Sequence, residues 1–301
     1  FIYSAVAFIG IGRALLRPSY QALFGQIIPR DQLTRYTAYA SSAFQICVVA
    51  GPGLGGLMIG FAGLEWTYVL AACCGAFGLY GVTFIHAPQE RNSTLKNDFL
   101  KSFMEGFHYV RKHELILSVM ALDMFAVLFG GAVSILPAFV KEVLNAGPEA
   151  LGILRAAPAA GAVITGIYLA RRPLLKDSGR YLFLSVAGFG LAIIAFGISN
   201  HLWLCAFFLF ISGCCDSISV VIRGSVMQLT TPDHMRGRIS AINGIFIGSS
   251  NELGALESGI AASIMGLVPS IVFGGAATIM IVLITYRLAP QLRKLHLKDI
   301  S

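Results

Sequence analysis

The chain is short of charge. Only 12% of its 301 residues are Asp, Glu, Lys or Arg, where an ordinary soluble domain carries about a quarter. Its six cysteines, Cys47, Cys73, Cys74, Cys205, Cys214 and Cys215, all fall in apolar runs. They form no CxxC pair and no Cys/His ligand spacing, so a disulfide framework and a zinc site are excluded, and they read as small buried hydrophobes. Enzyme signatures are missing too. There is no GxSxG, no Walker A, and no HExxH, since His113-Glu114 is followed by Leu117 where a second histidine would stand. Without a nucleotide site an ATP-driven pump is not expected, and no cofactor is called for. No initiating methionine, basic n-region or cleavage site precedes the apolar run at Phe1. That start reads as a piece of a longer chain and not as a signal peptide.

What is present is hydrophobic: 56% of the residues, with a mean hydropathy of +0.75. The charges cluster and leave apolar runs of roughly 20 residues, the length a helix needs to cross about 30 Å of hydrocarbon. A soluble core holding this many long helices buried on every side is ruled out by surface-to-volume scaling. The expected fold is an all-α membrane protein with nine spans, at about Phe1–Leu23, Thr37–Phe61, Thr67–Ile85, Leu115–Val140, Leu151–Ala170, Tyr181–Ile198, Leu202–Ile222, Ile239–Met265 and Pro269–Tyr286.

The formal net charge of +7 invites a nucleic-acid partner, but its distribution speaks for topology instead. Cations fill alternate loops: Arg30 and Arg35; Arg91, Lys96, Lys101, Arg111 and Lys112; Arg171, Arg172, Lys176 and Arg180; Arg223, Arg236 and Arg238; and the tail with Arg287, Arg293, Lys294 and Lys298. The opposite loops hold Lys141 alone. Under the positive-inside rule the basic loops and the C-terminus are expected in the cytoplasm, in a multi-pass protein of the inner or plasma membrane. The partners expected are the lipid bilayer and a small-molecule substrate, with no nucleic acid and a monomeric chain. In the longest loop, Phe99, Phe103, Phe107 and Val110 recur at helical spacing among charged residues, which predicts an amphipathic connector at the cytoplasmic interface.

Segments Pro29–Gly56 and Pro232–Gly259 match at a constant offset of 203: Pro29 with Pro232, Arg35 with Arg238, Ala38 with Ala241, Gly51 with Gly254 and Gly56 with Gly259. Two halves related by an axis along the membrane normal follow from such a match. Spans four to six then lack counterparts, so three helices are expected upstream, giving six plus six. Residues 1–86 become the latter part of an N-terminal bundle (helices four to six), 87–114 a cytoplasmic loop, and 115–301 a C-terminal bundle (helices seven to twelve) with its tail.

The second span carries Gly51-Pro52-Gly53-Leu54-Gly55-Gly56. Such glycines let helices approach closely in lipid, and Pro52 frees a carbonyl. This stretch resembles the GPxxGG of major facilitator superfamily exporters, which sits in their fifth helix; Cys47 and Ala38 occupy the two upstream glycine positions. Gly10–Pro18 is similar to the family's fourth helix, with Val6 where many proton antiporters have arginine. Of the family's GxxxDRxGR loop, Gly179 and Arg180 remain, with Lys176 and Asp177 at the acid and Arg positions. Thr231–Arg238 together with Ser249–Gly254 resembles the enterobactin-exporter-like and macrolide-efflux-like branch. The resemblance implies nine of twelve helices of a secondary transporter, an antiporter powered by the proton gradient that exports small amphipathic molecules of siderophore or drug type by alternating access. An importer or facilitator, or a non-transporting receptor or scaffold of the same fold, stays open beside it.

Ionisable residues inside spans are functional candidates, because each is costly at mid-bilayer without a partner or cavity. Asp123, Glu252, Arg155 and Glu257 are candidates for proton coupling or substrate contact. Glu252 and Glu257 lie about 140° apart round their helix. Arg13 with Arg17, and Asp216 with Arg223, seven residues apart on one helix face, read as structural or gating pairs, alongside the packing positions Gly51, Pro52, Gly55 and Gly56.

Overall fold

The computed structural model describes residues 4, 8–10, 12, 27, 33–84, 99–171, 176–232 and 235–299. Most of the first expected span, with Arg13 and Arg17, lies outside these residues. The described chain is helical: α1 (Leu33–Thr83), α2 (Phe99–Lys112), α3 (Glu114–Gly130), a short 3-10 turn (Ala132–Ile135), α4 (Leu136–Glu142), α5 (Pro148–Arg171), α6 (Ser178–Gly197), α7 (Leu202–Thr230), α8 (Arg236–Met265), α9 (Leu267–Leu288) and the single turn α10 (Pro290–Arg293). Among the described residues six helical segments are long and apolar enough to cross a membrane: Gly53–Thr83, Glu114–Glu142, Pro148–Arg171, Ser178–Gly197, Leu202–Thr230 and Leu267–Leu288. Helix α8 has the length, at 30 residues, but Ser249, Ser250, Asn251, Glu252 and Glu257 dilute its apolar character. The cysteines depart from expectation: Cys205 is buried, but Cys47, Cys73 and Cys74 are exposed. These three lie on α1, which beyond Gly56 is mostly exposed within the described chain, so in a membrane they would meet lipid or further helices.

The second and third expected spans run on as one helix of 51 residues that leaves helical geometry at Gly63, with φ 82° and ψ 172°. The break between α8 and α9 is Gly266, with φ 88° and ψ 165°. These glycines are again 203 apart and each is followed by leucine. The repeat read from residues up to Gly56 and Gly259 therefore reappears in the backbone as one turn used twice. This conformation is essentially restricted to glycine. Gly63→Ala and Gly266→Ala are each expected to cost about 1–3 kcal/mol, checked by thermal unfolding in detergent; two variants as stable as the parent would show that the turn is not held.

Within lipid, apolar faces gain nothing by leaving solvent, so close contact and interhelical hydrogen bonds hold helices together. Small residues mark these contacts. A methyl on Gly190 of α6 would come within 2.9 Å of the Gly275 carbonyl oxygen of α9, and one on Gly275 within 2.7 Å of the Gly190 oxygen. At the α5–α7 crossing, Gly161 faces the Phe210 carbonyl and Gly213 the Pro158 carbonyl. Thr278 Oγ1 of α9 donates to the Ala126 carbonyl of α3 at 3.3 Å.

The amphipathic connector forms as α2. It docks on the α7–α8 corner through Tyr109 Oη donating to the Thr230 carbonyl at 3.2 Å and an Arg238–Glu105 ion pair of 2.5 Å. That pair is half exposed, so docking rests more on buried Val110, packed near Met120, Ile239 and Ile242. The tail folds back under the bundle. Leu292, Leu295 and Leu297 are buried against α3, α6, α7 and α9. The Gly179 N–H donates to the Leu295 carbonyl at 3.0 Å, the Asp177 N–H to His296 Nδ1 at 2.8 Å, and the Leu297 N–H to Ser178 Oγ at 3.2 Å. A side chain at Gly179 would collide with the Leu292 carbonyl, which gives this family-motif glycine a packing reason.

Candidate functional site: a charge cluster inside the bundle

Helix α3 buries Asp123 and α7 buries Arg223, and the two form an ion pair between Oδ2 and Nη1. Helical side chains lean toward their own N-terminus. Arg223 does so, its Nε donating 3.3 Å to the Ser219 carbonyl one turn back. Asp216 is a further turn along the same face of α7. Asp123, Cys215, Asp216 and Ser219, with Val186 and Phe189 of α6, line one cavity of about 20 Å³, room for about one water. Among the described residues Asp216 has no hydrogen-bond or ion-pair partner.

The surroundings are apolar. Leu122, Ala126, Val186, Ile222 and Val226, on the helices that carry or flank the pair, belong to one buried apolar cluster, and the tail leucines close the same cluster. Taking two charges out of water is costly, and only good mutual geometry and extra hydrogen bonds repay it. The Ser219 carbonyl supplies one such bond.

The expected association of Asp216 with Arg223 is thus corrected: Arg223 is held by Asp123. Residues seven apart on a helix are separated by roughly 10 Å along its axis, whereas Asp123 arrives at the guanidinium from the neighbouring helix. Asp123, a candidate for proton coupling or substrate contact, is half of a buried pair. Glu252, Glu257 and Arg155 do not join the cluster. Glu252 is exposed on α8, about 200° round from Gly254, whose α-carbon packs toward the Leu128 carbonyl of α3. Glu257 is half-buried; next to it Ser258 Oγ donates to the Gly131 carbonyl at 3.5 Å. Arg155 is exposed on α5, without an ion-pair partner among the described residues.

The Gly-Pro motif divides by helix face. Gly56 is buried, and a methyl there would come within 2.7 Å of Gly152 Cα and 3.0 Å of the Pro148 carbonyl of α5. Gly53 faces Ala156 Cβ at 3.9 Å. Gly51 and Gly55, expected as packing positions, look onto open space. Helix α1 continues through Pro52 and leaves helical φ,ψ only at Gly63. Ser219 and the docking leucines of the tail were not singled out by sequence; the leucine spacing after Pro290 was the available signal.

Long apolar helices, matched glycine turns and an ion pair at membrane depth define a polytopic α-helical membrane protein built on an internal repeat. The chain belongs to the major facilitator superfamily: the family described as "Transmembrane secretion effector" matches residues 2–300. It is 23% identical over 269 residues to the Uncharacterized MFS-type transporter YfmI of Bacillus subtilis (strain 168), covering 85% of this chain and 66% of that protein. It is 26% identical over 239 residues to the Enterobactin exporter EntS of Shigella boydii serotype 18, covering 78% of this chain and 55% of that protein; EntS of Escherichia coli O1:K1 matches to the same extent. The chain thus spans between half and two thirds of the length of these relatives. A solved bacterial metal transporter shares the fold, with TM-score 0.55, 16% identity, and coverage of 89% of this chain and 68% of that one. The family is one of transporters and not of enzymes.

Proposed function

We propose that the whole protein is a secondary active transporter that exports small amphipathic molecules, driven by the proton gradient, by rocking two helical bundles about a midplane site. The observation that carries this reading is the repeat at offset 203, with its matched turns at Gly63 and Gly266, because paired bundles are what alternating access requires. The two bundles are residues 1–86, completed by further helices, and 115–301, joined by 87–114. Export is supported by the GPxxGG stretch and by the named exporter among the relatives. The amphipathic cargo of siderophore or drug type rests on the branch resemblance and on that relative. The excess of cations in alternate loops supports a cytoplasmic C-terminus, and nothing in the reading needs a cofactor or a second copy of the chain.

Proton coupling is supported by carboxylates within spans. Glu252 is the coupling candidate on α8: it is exposed on a face that the described helices do not cover, and it stands at a position whose repeat-mate is Val49. Glu252→Gln in the full-length protein is expected to weaken proton-dependent efflux by tenfold or so, an effect of about 1.4 kcal/mol on the coupling step. Efflux and proton release at parental rates would remove Glu252 from the mechanism. A receptor or scaffold would instead give no substrate-dependent flux in vesicles at all.

A further inference from the structure

We propose that Asp216 is a proton-binding site in the C-terminal bundle, and that Asp216 and Asp123 share the single guanidinium of Arg223. The inference rests on the transport reading for its purpose, but not for its geometry. Asp123, Asp216 and Ser219 line one water-sized cavity, and Arg223 reaches it as the ion-pair partner of Asp123. Asp123 and Arg223 neutralise each other. Asp216, in the middle of a helix long and apolar enough to span the membrane, is then one carboxylate in surplus with no partner among the described residues. A bare carboxylate there is costly, and a proton on Asp216 removes the cost.

The groups facing Asp216 do not offer a substitute. From α3 comes Asp123, of like charge. Helix α6 presents Val186 and Phe189. Helix α5 meets the adjoining positions through backbone: Cys214 Sγ lies 3.5 Å from the Gly161 carbonyl, and Ser217 Oγ donates to the Ala162 carbonyl at 3.0 Å. On α7 itself are Cys214, Cys215 and, two turns on, Arg223. The arginine already lies back along α7 to the Ser219 carbonyl, toward the turn that carries Asp216, while it pairs with Asp123. When the Asp216 proton passes to water in the cavity, the new carboxylate competes with Asp123 for Arg223. Protonation of Asp216 would thereby tighten the link between α3 and α7, and proton release would loosen it.

Infrared difference spectra of the purified chain in nanodiscs, between acid and alkaline pH, read protonated carboxyl groups directly. The parent is expected to show an Asp carboxyl band that disappears in Asp216→Asn. It should also disappear in Asp123→Asn, because the freed Arg223 then pairs with Asp216. Asp216→Glu, which keeps the carboxyl, should keep the band at a shifted frequency, and it serves as the test if the asparagine variant does not fold. A band unchanged in Asp216→Asn or unmoved in Asp216→Glu overturns the site. One that survives Asp123→Asn overturns the sharing of Arg223, and one abolished by sodium at constant pH overturns the assignment to a proton. The spectra need no gradient and no substrate. Intact efflux in Glu252→Gln would thus sink that residue's role while leaving this site standing.

Discussion

Replacing Arg223 by alanine is expected to lower the unfolding free energy by about 3–5 kcal/mol, the usual cost of removing one partner of a buried ion pair. Both side chains are only about a tenth exposed, 10% for Arg223 and 9% for Asp123, so water cannot replace the lost cation. Asp123 would be left among Leu122, Ala126, Ile222 and Val226 and would have to take up a proton or draw water into the bundle. The Ser219 carbonyl loses its side-chain donor as well. Exchanging both charges is expected to behave differently. Asp123→Leu with Arg223→Met removes the desolvation cost along with the attraction, and such swaps are commonly neutral or stabilising by about 1–4 kcal/mol. Chemical denaturation in mixed micelles checks both. A single variant as stable as its parent would mean that the pair is wet, and a double variant as unstable as the single one would mean that packing, not charge, is what Arg223 supplies.

Sequence carried far toward this architecture because lipid leaves the chain few choices. Every backbone donor in a span must be satisfied within its own helix, so apolar length alone located α3, α5, α6, α7 and α9. What sequence could not carry was rotation. Asp123 and Asp216 were visible as charges inside spans and Arg223 as one at a span's end, but which of them meet depends on how α3 and α7 are turned and tilted. That is decided by small-residue contacts such as Thr278 against Ala126 and Gly254 against Leu128. Pairing Asp216 with Arg223 used the only geometry that sequence supplies, the face of a single helix. The same limit applies to the Gly-Pro motif, where the sequence marked Gly51, Pro52, Gly55 and Gly56 and packing uses Gly53 and Gly56. The turn glycines could have been found, since Gly63-Leu64 and Gly266-Leu267 hold the offset of 203.

Gly213→Val should be the most damaging change at a glycine of the described bundle, with about 3 kcal/mol or more lost. Overpacking typically costs about 1–3 kcal/mol when side chains can give way, but here the obstacle is backbone: a Cβ at Gly213 runs into the Pro158 carbonyl. No rotamer relieves that, so α5 and α7 must separate. Gly161 sits against the Phe210 carbonyl and Cys214 in the same crossing, and the Ser217–Ala162 hydrogen bond of 3.0 Å depends on it; interhelical bonds of this kind contribute about 0.6 kcal/mol each in a membrane. Gly213→Ala meets the same backbone obstacle with its Cβ and should cost less than valine only because it carries two fewer methyls into the crossing. Gly224→Ala is the control. It lies on the same helix with open space around its α-carbon, so it should gain about 0.5–1 kcal/mol from helix propensity. Melting temperatures in detergent should therefore rank Gly224→Ala at or above the parent, then Gly213→Ala, then Gly213→Val. A tolerated valine would show that the helices do not cross this closely. Asp216 follows Gly213 by less than one turn, so the crossing that excludes a side chain at 213 also aims that carboxylate into the cavity. Gly213→Val should accordingly disturb the carboxyl band of Asp216 even under conditions where the variant stays folded.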